Sequence, residues 1–139
     1  MLDRLLSEAV PVITVNEFNK KSDRVFILDV REKREFDVSR IKGAVFAVTN
    51  DQNRLISIPE GLSKSESIVV YCSVGYRSEQ ITQQLIDEGY ENTVNLYGGI
   101  FEWVNQGFAL YNDSGRTDEI HAYGLFWGLW VKSENKVYK

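Results

Sequence analysis

Two short apolar runs constrain this chain more than any other feature. Arg24 to Val30 reads RVFILDV, and Ser67 to Tyr71 reads SIVVY. Neither alternates apolar with polar residues, as a strand with one wet face would. Continuous runs of this kind mark strands covered on both faces, the habit of parallel sheets. Around them the pattern turns helical. Thr14 with Glu17 three residues on forms a capping-box pattern and opens a helix over about 15–21. Glu32 to Asp37 reads as a short helix or turn. Ser78 to Gly89 reads as a helix with Ile81, Leu85 and Ile86 on one face and Gly89 as its stop. Gly98-Gly99 precedes a last helix over about 100–106, closed by Gly107. Further short strands are expected at Val12-Ile13-Thr14, Ala44 to Val48 and Asn92 to Leu96. Residues 49–66, with Pro59 and Gly61, are expected to mix a short helix with loop. Residues 1–9 place Leu2, Leu5, Leu6 and Ala9 at helical spacing. Short buried strands alternating with helices give an α/β fold, a parallel sheet with helices on both faces and right-handed crossovers.

The 139 residues are the length of one domain, long enough to bury a sizeable core without disulfides or metals. Apolar residues make up 43% and charged residues 26%, the profile of a soluble globular protein. The net charge of −4 argues against nucleic acid as the main partner. Cys72 is the one cysteine and His121 the one histidine. An internal disulfide framework and a cysteine-rich zinc site are thereby excluded, and no metal or organic cofactor is implied. The N-terminus MLDRLLSEAV carries charges where a signal peptide needs an unbroken apolar stretch. The longest apolar run, Ala122 to Val131, is half of the roughly 20 residues that a membrane-spanning helix needs. No membrane span is expected, and a reducing cytoplasm is the default compartment for a free thiol.

In parallel sheets of this kind, ligands bind beyond the carboxyl ends of the strands. Cys72 sits at that end of the SIVVY strand, immediately before a helix. The connection Cys72-Ser73-Val74-Gly75-Tyr76-Arg77 is short enough to curl its backbone N–H groups into a concave anion nest. The following helix adds its positive dipole end. Gly75 permits a backbone conformation that a side chain would obstruct. Such a setting is expected to favour the thiolate, the reactive form of cysteine. Arg77 at the helix start opposes the dipole rather than complementing it, which points to an anionic ligand or a buried carboxylate beside it. The plain alternative is a small buried cysteine at a strand end.

Four segments, taken in order, resemble the rhodanese-like domain family over about residues 10–110. They are LDVRE (28–32) with EF (35–36), RIKGA (40–44), IVVYCSVGYRS (68–78) and LYGGIFEW (96–103). The resemblance implies a single-domain α/β fold with a five-stranded parallel sheet. It also implies thiosulfate-type sulfurtransferase chemistry with Cys72 as nucleophile and persulfide carrier. By position, Ser73, Val74, Gly75, Tyr76 and Arg77 supply the substrate cradle, while Asp29 and Arg31 brace the loop, with a buried Asp29–arginine pair. The implied partners are a small anionic sulfur donor and a thiol acceptor, small molecule or protein, with cyanide as an alternative acceptor. Two positions depart from the family pattern. Arg40 stands where histidine is usual, so local packing differs. Ser73 stands where many thiosulfate-active members carry arginine, so one anion-binding charge is missing. Cell-cycle phosphatases that share the fold have five residues between cysteine and arginine; here there are four, a smaller cradle that suits sulfur better than phosphate. A non-catalytic rhodanese-like binding module is the other reading, although such modules usually lose the cysteine.

Residues 111–139 form an aromatic-rich extension beyond the resemblance. NDSGRTDE (112–119) reads as a linker, followed by Tyr123, Phe126, Trp127, Trp130 and Tyr138. The extension is expected to pack on the domain or to form a homodimer or partner interface, where aromatics are enriched. The basic polar face of a membrane-surface helix is weak here. His121 is read as structural.

Overall fold

The computed structural model of the chain describes residues 10–21 and 24–117, together with the backbone of 120–122 and 136–138. The helix expected over 1–9 and the aromatic residues Tyr123, Phe126, Trp127 and Trp130 lie outside the described residues. Five strands form one wholly parallel sheet. They are β1 (Val12–Ile13), β2 (Phe26–Asp29), β3 (Val45–Phe46), β4 (Ile68–Tyr71) and β5 (Thr93–Leu96), in the spatial order β1-β5-β4-β2-β3. Among the described residues four helices cover it: α1 (Val15–Lys20), α2 (Lys33–Val38), α3 (Tyr76–Asp87) and α4 (Gly99–Asn105). The α/β fold with a five-stranded parallel sheet flanked by helices is therefore as expected.

The central strand shows why its run is continuously apolar. All four β4 residues are buried. Successive side chains point to opposite faces, and the core divides accordingly. Val69 and Tyr71 pack with Phe18 of α1 and with Phe101 and Trp103 of α4. Ile68, Val70 and Cys72 pack with Ile81 and Leu85 of α3. Cys72 thus leaves the strand on the α3 side, while Tyr71 anchors the strand end on the other.

α1 starts where the capping box placed it. Glu17 N–H donates to Thr14 Oγ1 at 3.1 Å, and Thr14 N–H donates to Glu17 Oε1 at 3.0 Å. Several expectations differ. α3 begins two residues early, at Tyr76, because Gly75 caps it in the left-handed region with φ +102°. Ile81 and Leu85 of α3 are buried, but Ile86 is only half-buried. Residues 49–66 contain turns and no helix among the described residues. There Asn50 Oδ1 accepts from the amides of Gln52 at 2.9 Å and Arg54 at 3.1 Å, local bonds that compete with a helical ladder.

The segment read as a linker begins instead as a hairpin. β6 (Leu110–Asn112) pairs antiparallel with β7 (Gly115–Thr117). Its turn is closed by the Asn112 side chain, which accepts from Ser114 N–H at 2.9 Å, and Leu110 is buried in the core. The hairpin is held by the residue that departs from the family pattern. Arg40 exchanges backbone bonds with Tyr111 at 2.7 and 2.8 Å. Its guanidinium donates to Phe36 O at 2.9 Å, lies 4.2 Å from the Phe36 ring centroid and pairs with Asp113. A further pair, β8 (Ile120–Ala122) and β9 (Lys136–Tyr138), runs parallel. No helix among the described residues is long and apolar enough to cross a membrane.

Candidate active site

Cys72 follows the last residue of β4 and is buried. Its Sγ lies at the focus of three donors: Gly75 N–H at 3.1 Å, Ser78 N–H at 3.4 Å and the Ser78 hydroxyl at 3.4 Å. Donors preorganised around one sulfur suit a centre that carries negative charge. No described residue accepts from the amides of Ser73, Val74, Tyr76 or Arg77. The last two belong to the first turn of α3, where intrahelical partners are lacking. The loop is therefore rich in free donors.

The loop is fixed from behind by β5 and α4. Asn95 Nδ2 donates to Gly75 O at 3.0 Å, while Asn95 Oδ1 lies 2.5 Å from Ser78 Oγ. The first amides of α4 cap the strand end: Ile100 N–H donates to Cys72 O at 3.0 Å and Phe101 N–H to Ser73 O at 3.1 Å. At Gly99 (φ +63°), an added Cβ would stand 2.5 Å from both of those carbonyl oxygens. Gly99 is therefore what lets α4 dock against the loop.

The sequence-nominated residues separate into three groups. Cys72 and Gly75 meet at the sulfur. Tyr76 is exposed, Val74 and Arg77 are half-buried, with Val74 packed against the core on the α4 side, and Ser73 is buried. Among the described residues the Arg77 guanidinium has no carboxylate partner, so of the two explanations for its position the buried acid is not present there. Its carbonyl accepts from Asn53 Nδ2 at 2.8 Å.

Asp29 and Arg31 make the buried pair expected for Asp29, at 2.7 Å and with both side chains fully shielded. They do not hydrogen-bond the loop. Arg31 instead donates to Ser39 O at 2.6 Å, and its guanidinium lies 5.7 Å from the Tyr71 ring centroid. Burial works against the Arg31 charge, but Asp29 beside it, together with Tyr71 and Glu35, outweighs that and holds its pKa above the usual value. Burial, and then the Asp29 carboxylate, push the Tyr71 phenol well above its ordinary pKa. Tyr71 Oη accepts from Ile41 N–H at 3.1 Å. The pair therefore supports the residue before Cys72 rather than the loop itself.

Sequence reasoning missed Ser78 and Asn95 as site residues. The available signal was a polar residue, Asn95, inside the short strand TVNL, where it is buried.

The chain matches the family profile described as a rhodanese-like domain over residues 14–106. It belongs to the rhodanese-like domain family. It is 34% identical over 112 residues to Protein HIGH ARSENIC CONTENT 1, mitochondrial, of Arabidopsis thaliana, covering 73% of this chain and 64% of that one. It is 28% identical over 102 residues to Adenylyltransferase and sulfurtransferase UBA4 of Lodderomyces elongisporus, covering 66% of this chain and 22% of that one. The chain thus spans under two thirds of the length of these curated relatives. Among solved structures, thiosulfate sulfurtransferase from Pseudomonas aeruginosa superposes with a TM-score of 0.66 at 23% identity, over 79% of this chain and 22% of that one. That likeness is one of fold. Rhodanese-like relatives therefore include sulfurtransferases, and the site described above falls within the matched segment.

Proposed function

We propose that this chain is a sulfurtransferase that carries a sulfane sulfur on Cys72 as a persulfide. The observation that carries the reading is the cysteine sulfur at the focus of the Gly75 and Ser78 donors, with further free amides along the loop. The Cys72 thiolate attacks the outer sulfur of a small anionic donor such as thiosulfate. A bond forms between Sγ and that sulfur, the S–S bond of the donor breaks, and sulfite leaves with the electron pair. The outer sulfur of the resulting persulfide bears negative charge, which the loop amides and Arg77 stabilise. A thiol or cyanide then removes it. Cys72 is the sole cysteine of these 139 residues, so the receiving thiol lies outside them.

Intact-mass measurement after incubation with thiosulfate, and separately with an organic persulfide, tests the reading. The wild-type protein is expected to gain the mass of one sulfur atom and to lose it on adding cyanide, whereas Cys72→Ser gains none. A wild-type protein that no sulfane donor loads would instead be a binding module that has kept its cysteine.

A further inference from the structure

We propose that Asn95 is a positioning residue for Cys72 that acts through Ser78. It holds the Ser78 hydroxyl proton away from sulfur until the sulfur becomes anionic. The inference rests on Cys72 being the sulfur carrier, and its argument is one of proton inventory. Gly75 O can only accept, so the Asn95 side-chain atom 3.0 Å from it is the NH2 group. The Asn95 oxygen therefore faces Ser78 Oγ, 2.5 Å away. That oxygen also only accepts, so the proton between them is the one hydroxyl proton Ser78 possesses. The same hydroxyl lies 3.4 Å from Cys72 Sγ. One proton serves two acceptors, and it cannot serve both at once.

While sulfur is neutral, as a thiol or as the inner atom of a persulfide, the short bond to Asn95 holds the proton. When sulfur is anionic, a charge-assisted bond to Sγ competes, at the cost of leaving the buried Asn95 oxygen unpaired. The second half of sulfur transfer produces that anion. The acceptor thiolate attacks the outer sulfur, a new S–S bond forms, the bond between Sγ and the outer sulfur breaks, and its electron pair returns to Sγ. Rotation of the Ser78 hydroxyl toward Sγ at that step stabilises Cys72 as the leaving group, and the hydroxyl turns back to donate to Asn95 Oδ1 when the persulfide reforms. Asn95 touches neither sulfur nor substrate; it sets where the proton waits.

The test is a double-mutant cycle read by iodoacetamide alkylation of Cys72 as a function of pH, a reaction that needs no sulfur donor. The four proteins are wild type, Asn95→Ala, Ser78→Ala and the double variant. Other charged side chains on the surrounding elements are Arg77 and Glu79 on the loop and α3, Asp29 and Arg31 at the end of β2, and Glu102 on α4. All are unchanged across the cycle. With Ser78 present, Asn95→Ala frees the hydroxyl for sulfur. The alkylation profile is then expected to move toward lower pH, with a rate at acidic pH on the order of tenfold higher, as for one hydrogen bond to a charged group. With Ser78→Ala the same substitution is expected to leave the profile in place. An equal displacement in both backgrounds would mean that Asn95 acts only through Gly75 O, and no displacement in either would remove its role; either result overturns the proposal. Asn95→Leu, which lacks the oxygen but fills the space, repeats the cycle if the alanine variant does not fold. Failure of the wild type to load sulfur would count against the sulfur-carrier reading, while the alkylation cycle would still report on Asn95.

Discussion

Gly99→Ala would set a methyl group against the carbonyl oxygens of Cys72 and Ser73, both backbone atoms that cannot swing aside. It would also ask alanine to hold a φ of +63°. Together these are expected to cost roughly 2–4 kcal/mol, measurable by urea denaturation. The alkylation rate of Cys72 should change with it, because α4 no longer docks on the loop. Cys72 and Gly75 were legible in the sequence because each carries a chemical or conformational property of its own. Ser78 and Asn95 were not, because what makes them matter is a pairing in space between residues on different elements. The same holds for Arg31: the family resemblance implies a loop brace, yet its guanidinium reaches Ser39 O and the Tyr71 ring.

At the scale of elements, α1 offers the cleanest test, since Thr14 and Glu17 exchange reciprocal bonds at its start. Thr14→Ala is expected to cost about 1 kcal/mol, read from the denaturation midpoint. The backbone bond from Thr14, followed by the Thr14 side chain, lowers the Glu17 pKa below the usual carboxylate range. The unfolded chain therefore takes up the proton more readily than the folded one. The stabilisation is complete above the unfolded carboxyl pKa and is lost as pH falls through the folded value. Wild type and Glu17→Gln should accordingly differ in melting temperature at neutral pH and converge in acid. Helix boundaries were legible where a cap is written in side chains, as at Thr14. They were less so at α3, where Gly75 caps through backbone conformation alone and the helix gains Tyr76 and Arg77. Residues 49–66 misled because Asn50 satisfies two amides locally, something no periodicity displays.

For the molecule as a whole, Arg40 helps tie the hairpin β6–β7 to α2, alongside the Asn112 side-chain bond to Val38 O. Arg40 meets Asp113, Phe36 O and the Phe36 ring, and it is mostly buried, whereas Asp113 is 88% exposed. Arg40→Ala is expected to cost about 1–2 kcal/mol and to speed amide exchange at Tyr111. Asp113→Asn should cost under about 0.5 kcal/mol, because a solvent-exposed partner adds little. Equal effects would place the strength of the tie in the ion pair instead. The sheet and its helices were readable from the alternation of apolar runs with helical spacing; this hairpin was not, because a polar turn and a polar linker have the same composition.

The strand order carries a consequence for how the chain comes together. Within the five-stranded sheet, β1 pairs only with β5, the last of its strands to be synthesised, and β5 slots between β1 and β4. The amides that cap the Cys72 loop arrive later still, at the start of α4. On the ribosome, the cysteine and its nearest donors, Gly75 and Ser78, therefore emerge before the parts of β5 and α4 that fix the loop. Until those parts dock, the nascent chain displays an ordinary, unguarded thiol, and the specialised sulfur exists only once the final βα unit has closed the sheet.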